Sequence, residues 1–184
     1  MADGTLARMD VLKQGDAIRV ANSDGIVLID TLSTLSIAQP AAHATFLTLS
    51  TSIGANLTLT PEHHVPVGED CCTTLKQATD VAIGETIYHV TAGAAVTTAV
   101  ATTVTKIAQV AKKGLHSPVT SHAHYPIVDG FVTAFDSATK MHLASYALPL
   151  LEATGTTALI RRAFLGRSNT KYIDDSWSSH LHMA

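Results

Sequence analysis

Charge is scarce in this chain of 184 residues. Asp, Glu, Lys and Arg together make up 15%, and 12 basic against 15 acidic side chains leave a formal net charge of −3. With Lys and Arg scattered, the electrostatic footprint of a nucleic-acid binder is missing. Long apolar runs are missing too. Hydrophobic residues reach 46% and mean hydropathy is +0.23, yet Thr and Ser interrupt them throughout. No stretch approaches the ~20 largely apolar residues that a bilayer span requires. Low charge with positive mean hydropathy excludes a disordered chain, which has too little apolar surface to bury. The opening Met1-Ala2-Asp3-Gly4 lacks the basic region and apolar stretch of a signal peptide, and reads as though cut from something longer.

Cysteine is nearly absent. The two present are neighbours, Cys71 and Cys72, and adjacent residues do not form an unstrained disulfide of ordinary geometry. They are expected as packed or half-exposed loop thiols, with soft-metal binding and redox activity as alternatives. A hydrolase centred on Cys71 is disfavoured, because no base or oxyanion arrangement accompanies it in that loop. What is abundant is Thr and Val, which lean the chain toward β structure. The length suits one domain, able to bury roughly two-thirds of its unfolded surface without disulfide staples.

Short strands and turns fill the first half. Ile18 and Val20 alternate after a turn at Gly15-Asp16, and Ala21 to Gly25 forms a hairpin turn before a return strand at Ile26 to Ile29. Thr45 to Ser50 and Asn56 to Thr60 alternate with period two around a loop containing Gly54. The opening pattern then recurs at one constant offset. Val81-Ala-Ile-Gly-Glu-Thr-Ile-Tyr88 matches Leu12-Lys-Gln-Gly-Asp-Ala-Ile-Arg19, and a long Thr- and Val-rich strand is expected over Ala95 to Val104. Two copies are too few for a solenoid and fit a duplicated unit paired around a pseudo-twofold, with chance similarity between two hairpins as the alternative. Asp129-Gly130 is a further tight turn between strands. Lys140 to Leu151 has helical apolar spacing, limited by Pro149, and Thr154-Gly155-Thr156 suits another helix start. In the segment after it, Leu159, Ile160, Ala163 and Phe164 share a face. That face suits packing onto the core, with a lipid surface as the alternative. Arg167 to Ala184 reads as a polar tail.

Chemistry concentrates in Leu57-Thr-Leu-Thr-Pro-Glu-His-His-Val65. Pro61 has no N–H for a ladder, so the backbone bends there and can aim Thr60 and His63 into one cleft. Alone, Thr-x-x-His is a weak signal, since a histidine in a surface turn is common. His122-x-His124 offers imidazoles that could join His63 or His64 around zinc, but no spacing here is a zinc signature and no metal is expected. A polar cleft-lining role suits His122 better, and His180 and His182 fall in the tail.

The segment 57–65 resembles the central motif of Hint domains, the self-processing module shared by hedgehog C-terminal domains and inteins. Met9 to Val20 is similar to the family's hydrophobic-x-x-Gly-Asp-x-Val segment. Ser117-Pro-Val-Thr-Ser-His122 with Tyr125-Pro-Ile-Val-Asp-Gly-Phe-Val-Thr-Ala134 resembles the late hedgehog-type block, and His142-Leu-Ala-Ser-Tyr146 the helix after it. The blocks fall in order over about residues 7–152. The resemblance implies an all-β Hint fold of two pseudo-twofold β subdomains over 1–152, followed by a short, partly helical or flexible extension over 153–184.

It also implies autocatalysis. A first-residue cysteine converts the upstream peptide bond to a thioester, and water, a thiol or an alcohol such as a sterol releases the upstream segment. On this carry-over His63 protonates the leaving amide nitrogen and Thr60 hydrogen-bonds and distorts the scissile unit, the polarisation such a reaction needs. Two departures stand out. No cysteine precedes Asp3-Gly4, so the chain as given is expected to be inactive, with a non-catalytic Hint-like binding or structural module as the alternative. Ala134-Phe135-Asp136-Ser137 occupies the family's Ser-Cys-Tyr position, leaving Asp136 as the base for the second step and Asp30 as the acid nearest the aspartate that hedgehogs use. The candidate catalytic residues are therefore Thr60, His63 and Asp136, with no cofactor. The upstream segment and a small nucleophile are the implied partners of a monomer, and a hedgehog-like parent implies a secreted or cell-surface setting. No sterol-region match is recognisable in 153–184.

Overall fold

Thr and Ser recur among apolar residues through two long segments, and in the computed structural model these become the two strands on which everything else hangs. The structure describes residues 1–91, 97–135 and 138–156. Strand β1 (Ala17–Ala21) turns back into β2 (Val27–Thr51), followed by β3 (Asn56–Leu59), β4 (His64–Val67) and β5 (Thr74–Gln77). Then come β6 (Thr86–His89), β7 (Val100–Thr120), β8 (Tyr125–Val128), β9 (Phe131–Val132) and one helix, α1 (Ala138–Ala153). An all-β architecture with a short C-terminal helix, as expected, is thus what the chain adopts.

Strands β2 and β7 pair antiparallel from Leu32↔Thr120 to Thr51↔Val104. β1 pairs with both β2 and β8, and the order β1-β8-β9-β6-β7-β2 closes into a ring, while β3 extends it beside β2. β4 and β5 form a separate hairpin. Closure leaves few free edges on the ring, and free edges invite pairing with other chains.

The duplication is built into the hydrogen bonds. A 3₁₀ turn at Met9–Val11 precedes Gly15 at φ 92°, and one at Ala78–Asp80 precedes Gly84 at φ 94°. The Gly15 N–H donates to Leu32 O at 2.9 Å and the Gly84 N–H to Val104 O at 2.8 Å. The Asp16 carboxylate accepts from the Lys13 N–H at 2.8 Å, as Glu85 accepts from the Ala82 N–H at 2.9 Å. Each unit pairs its short strand with the start of its own long strand, and the long strands then cross to pair with each other. Glycine is required at 15 and 84 because such a φ puts an L side chain against its own carbonyl.

Several expectations change. The segments 26–29 and 45–50 are parts of one 25-residue strand, because Pro40 is absorbed where the register shifts between Gln39↔Leu115 and His43↔Lys113. Proline is tolerated at such bulges, where no ladder donor is needed. Ser117 to Thr120, the start of the late block, is the end of β7. Pro149 lies inside α1 rather than ending it. The helix closes where Thr154 N–H and Oγ1 donate to Leu150 O at 3.1 and 2.9 Å and Gly155 takes φ 67°. Thr156 is again helical, and the expected apolar face from Leu159 onward and the tail lie outside the described residues. Leu143, assigned to an apolar helix face, is 70% exposed.

The cysteine pair is corrected as well. Cys71 and Cys72 are joined to each other as a disulfide, not left as two thiols, in a loop where Cys72 takes φ 69°. The Tyr88 hydroxyl donates to Gly68 O at 2.8 Å and the Tyr125 hydroxyl to Cys72 O at 3.1 Å, so two buried phenols tether this loop.

The main core gathers Leu47, Leu49, Leu57, Leu59, Val65, Ile87, Val104 and Phe131 from both units. Leu57 is fully buried there. We expect Leu57→Ala to cost about 2–5 kcal/mol through transfer and cavity terms. Gly84→Ala, whose added Cβ meets nothing within 4 Å, should cost roughly 1–3 kcal/mol from backbone strain alone. Urea unfolding of both variants measures these losses, and a loss below about 1 kcal/mol in either would contradict its assignment.

Candidate active site

Residues 60–63 form a tight turn. The His63 N–H donates to Thr60 O at 3.1 Å across Pro61 and Glu62. Proline suits the second position of such a turn because its φ is preset. The four-residue closure is the reason a Thr-x-x-His spacing brings a hydroxyl and an imidazole to one place. The second repeat clamps the turn from behind: Ala78 N–H donates to His63 O at 2.8 Å and Thr79 N–H to Pro61 O at 2.9 Å. From the other side, Ala134 N–H donates to His64 O at 2.9 Å. Two segments therefore fix the turn and the residue after it.

Thr60 and His63 are both buried, at 3% and 8% exposure, and both line a cleft of about 200 Å³. Thr60 Oγ1 has no hydrogen-bond partner among the described residues. A buried hydroxyl in that state costs about 1–3 kcal/mol. Its tolerance here fits a group held ready for a ligand that completes it.

The structure brings two of the three sequence-derived residues together. The third, Asp136, lies outside the described residues. The same cleft gains His116, Asp129 and Thr133, which sequence reasoning did not place there. Asp129 had a signal only as a turn residue. With φ 52° there and 81° at Gly130 the pair makes the expected two-residue turn between β8 and β9. Thr133 fell inside a matched block, where its Oγ1 donates to Pro126 O at 3.1 Å. Burial lowers the pKa of His116 below its ordinary 6.5, with nearby Asp10 pulling it back up.

His122 and His124 do come together, but not with His63 or His64. They share Asp30, and these three form the group of metal-ligating side chains gathered among the described residues. Neither they nor Asp30 line the cleft. Cys71 and Cys72 do not line it either.

A family model described as a Hint module matches residues 1–179. The chain is 28% identical over 151 residues to Protein qua-1 of Caenorhabditis elegans, matching with 74% of itself and spanning 13% of that relative's length. It shares its fold with an Ssp DnaB mini-intein variant (TM-score 0.60, 11% identity, 71% of this chain and 84% of that one). The DnaX mini-intein from Spirulina platensis is similar too, at TM-score 0.55 and 15% identity over 70% of this chain and 88% of that one. An intein from a hyperthermophile gives TM-score 0.53 and 20% identity over 64% and 70%.

Two outcomes test the site's physics. Thr60→Val should leave unfolding free energy unchanged or raise it by up to about 1 kcal/mol, because it deletes an unpartnered hydroxyl. Thr51→Val deletes a bonded one (Oγ1 to Ala55 O, 3.0 Å) and should cost about 0.5–1.5 kcal/mol. Denaturant titration of the pair decides, and a large loss at Thr60 would show that its hydroxyl is bonded after all.

His116 sets a pH dependence. Its folded pKa lies below 6.5, so the unfolded state binds the proton more readily. Its contribution to stability is complete above pH 6.5 and declines as pH falls through the folded value. Unfolding midpoints measured from pH 7.5 down to 5 should fall less steeply in His116→Asn than in the unaltered chain, and parallel curves would remove the assignment.

Proposed function

This chain belongs to the Hint family, and we propose that it is an autoprocessing domain of the hedgehog C-terminal type. Its body over residues 1–152 acts on an upstream segment of the same polypeptide, with 153–184 as an extension. The observation that carries this reading is the buried Thr60 hydroxyl, without a partner among the described residues, in one cleft with His63. A cysteine thiol upstream attacks the preceding carbonyl carbon. A C–S bond forms, the C–N bond breaks, and His63 delivers a proton to the departing nitrogen. Thr60 supplies the hydrogen bond that polarises or twists the scissile amide, satisfying its own hydroxyl in doing so. Water, a thiol or an alcohol such as a sterol then attacks the thioester carbonyl and returns the sulfur as thiolate. Asp136 takes the proton from that second nucleophile. The reaction is intramolecular and needs no cofactor or second subunit.

The cysteines present do not serve. Cys71 and Cys72 are bonded to each other and lie off the cleft, so the thiol comes from residues upstream of Met1. A binding or structural module built on the same fold is the second reading. A buried hydroxyl left without a partner disfavours it, since a module with no ligand at that cleft would gain stability by replacing Thr60 with an apolar residue.

The test joins an upstream segment and its cysteine to the chain, adds dithiothreitol and follows cleavage by mass spectrometry. His63→Ala should slow thioester formation about 10²–10⁴-fold, the range of a positioned general acid. Asp136→Ala should slow only release. Cleavage at an unchanged rate in His63→Ala overturns the mechanism, and absence of cleavage in the unaltered precursor supports the binding module.

A further inference from the structure

Asp30 sits in β2 with its side chain 1% exposed, opposite the turn that joins β7 to β8. Its carboxylate accepts four hydrogen bonds. Oδ1 takes the Thr31 N–H at 2.7 Å and His122 Nδ1 at 2.8 Å, and Oδ2 takes the His122 N–H at 3.2 Å and His124 Nδ1 at 2.9 Å. One buried carboxylate thus orients two imidazoles from a single His-x-His segment. Between them Ala123 takes φ 55°, a left-handed conformation costing an alanine about 1–2 kcal/mol. That twist turns both rings to the same side, where they stack with centroids 5.8 Å apart and planes 27° from parallel. Anchoring the turn requires only one of these rings. The second adds a ligand.

We propose that Asp30, His122 and His124 form a binding site for a divalent transition metal, with zinc as the probe. One carboxylate oxygen and one nitrogen from each histidine lie within 4.8 Å of one another; donors on one ion with bonds of about 2.0–2.1 Å sit closer, roughly 3.4 Å apart in a tetrahedral shell, so the site closes on an ion by rotation of the exposed His122 ring. The donor set of two imidazoles and one carboxylate suits zinc, nickel or cobalt better than calcium or magnesium, which prefer all-oxygen shells. Three protein ligands leave a coordination position for water. His122, with its side chain 59% exposed, gives the ion its way in, while His124 at 29% and Asp30 at 1% supply the fixed part of the site. On binding, the ion replaces the Nδ1–H···O contacts and each imidazole carries its proton on Nε2. The site is separate from the Thr60–His63 cleft and does not depend on the proposed reaction.

Calorimetric titration of zinc into the chelator-treated chain should give one site per chain. Asp30→Asn and the double variant His122→Gln/His124→Gln should each weaken it roughly 10- to 100-fold or more, the least that loss of an orienting partner costs. His43→Gln, remote from the cluster, should bind unchanged. Should the double variant fail to fold, imidazole ¹⁵N resonances of the unaltered chain give an independent reading: those of His122 and His124 must shift first as zinc is added. Zinc affinity unaffected by the double variant overturns the proposal, as does a shift at another histidine while these two stay fixed.

Discussion

The pairing of β2 with β7 is the constraint from which the remaining structure hangs. Each strand starts in its own repeat, against β1 or β6, and spends most of its length in the other repeat's company. Neither unit can therefore be completed without its twin. The ladder joins residues as distant as Leu32 and Thr120, so most of its contacts form only after long loops close, a topology that folds slowly. Once formed, it places the hairpin β2–β3 and the hairpin β8–β9 at the same end of the molecule. Thr60 leaves the first and Thr133 leaves the second, and both reach one cleft.

Local features of the fold were legible because their causes are local. Asp129-Gly130 needs only two residues willing to take positive φ, and the loop between β2 and β3 only Gly54 and flanking alternation. The duplication was legible because its parts, a glycine and an acid at fixed spacing, satisfy their own backbone within a few residues. The long strands were not. Pro40 and Gly114 look like breaks, yet they fall opposite one another at the register shift between Gln39↔Leu115 and His43↔Lys113, and only a partner strand from the other repeat reveals that they cancel. Pro149 misled for a similar reason, since a helix can run past a proline where other contacts hold it. The Glu152 carboxylate accepts a hydrogen bond from buried Ser33 and ties the end of α1 to β2.

The candidate site divides along the same line. Thr60 and His63 are three positions apart and meet through one turn, so the motif carried them. Asp30 and the histidines at 122 and 124 lie 92 and 94 residues apart in sequence and meet because β2 pairs with the end of β7, from Leu32↔Thr120. No spacing in the sequence encodes that encounter. Cys71 and Cys72 show the converse: adjacency argued against their bonding, yet they are joined in a loop where Cys72 takes φ 69°.

The two polar centres differ in how their groups are satisfied, and that difference separates their roles. Burial alone would raise the pKa of Asp30; the bonds from His124 and His122 and from two backbone N–H groups more than reverse this and hold it well below the usual carboxylate range. Its oxygens already accept four hydrogen bonds, so the cluster stands with or without a ligand. Thr60 is the opposite case, a buried oxygen that nothing among the described residues completes. A protein of marginal stability sheds such a defect unless it is used, because one apolar substitution removes it. On the proposed reading, the cleft is where stability is exchanged for a hydrogen bond to the scissile unit. The rigid turn around it, clamped by Ala78, Thr79 and Ala134, keeps that oxygen from finding a partner of its own.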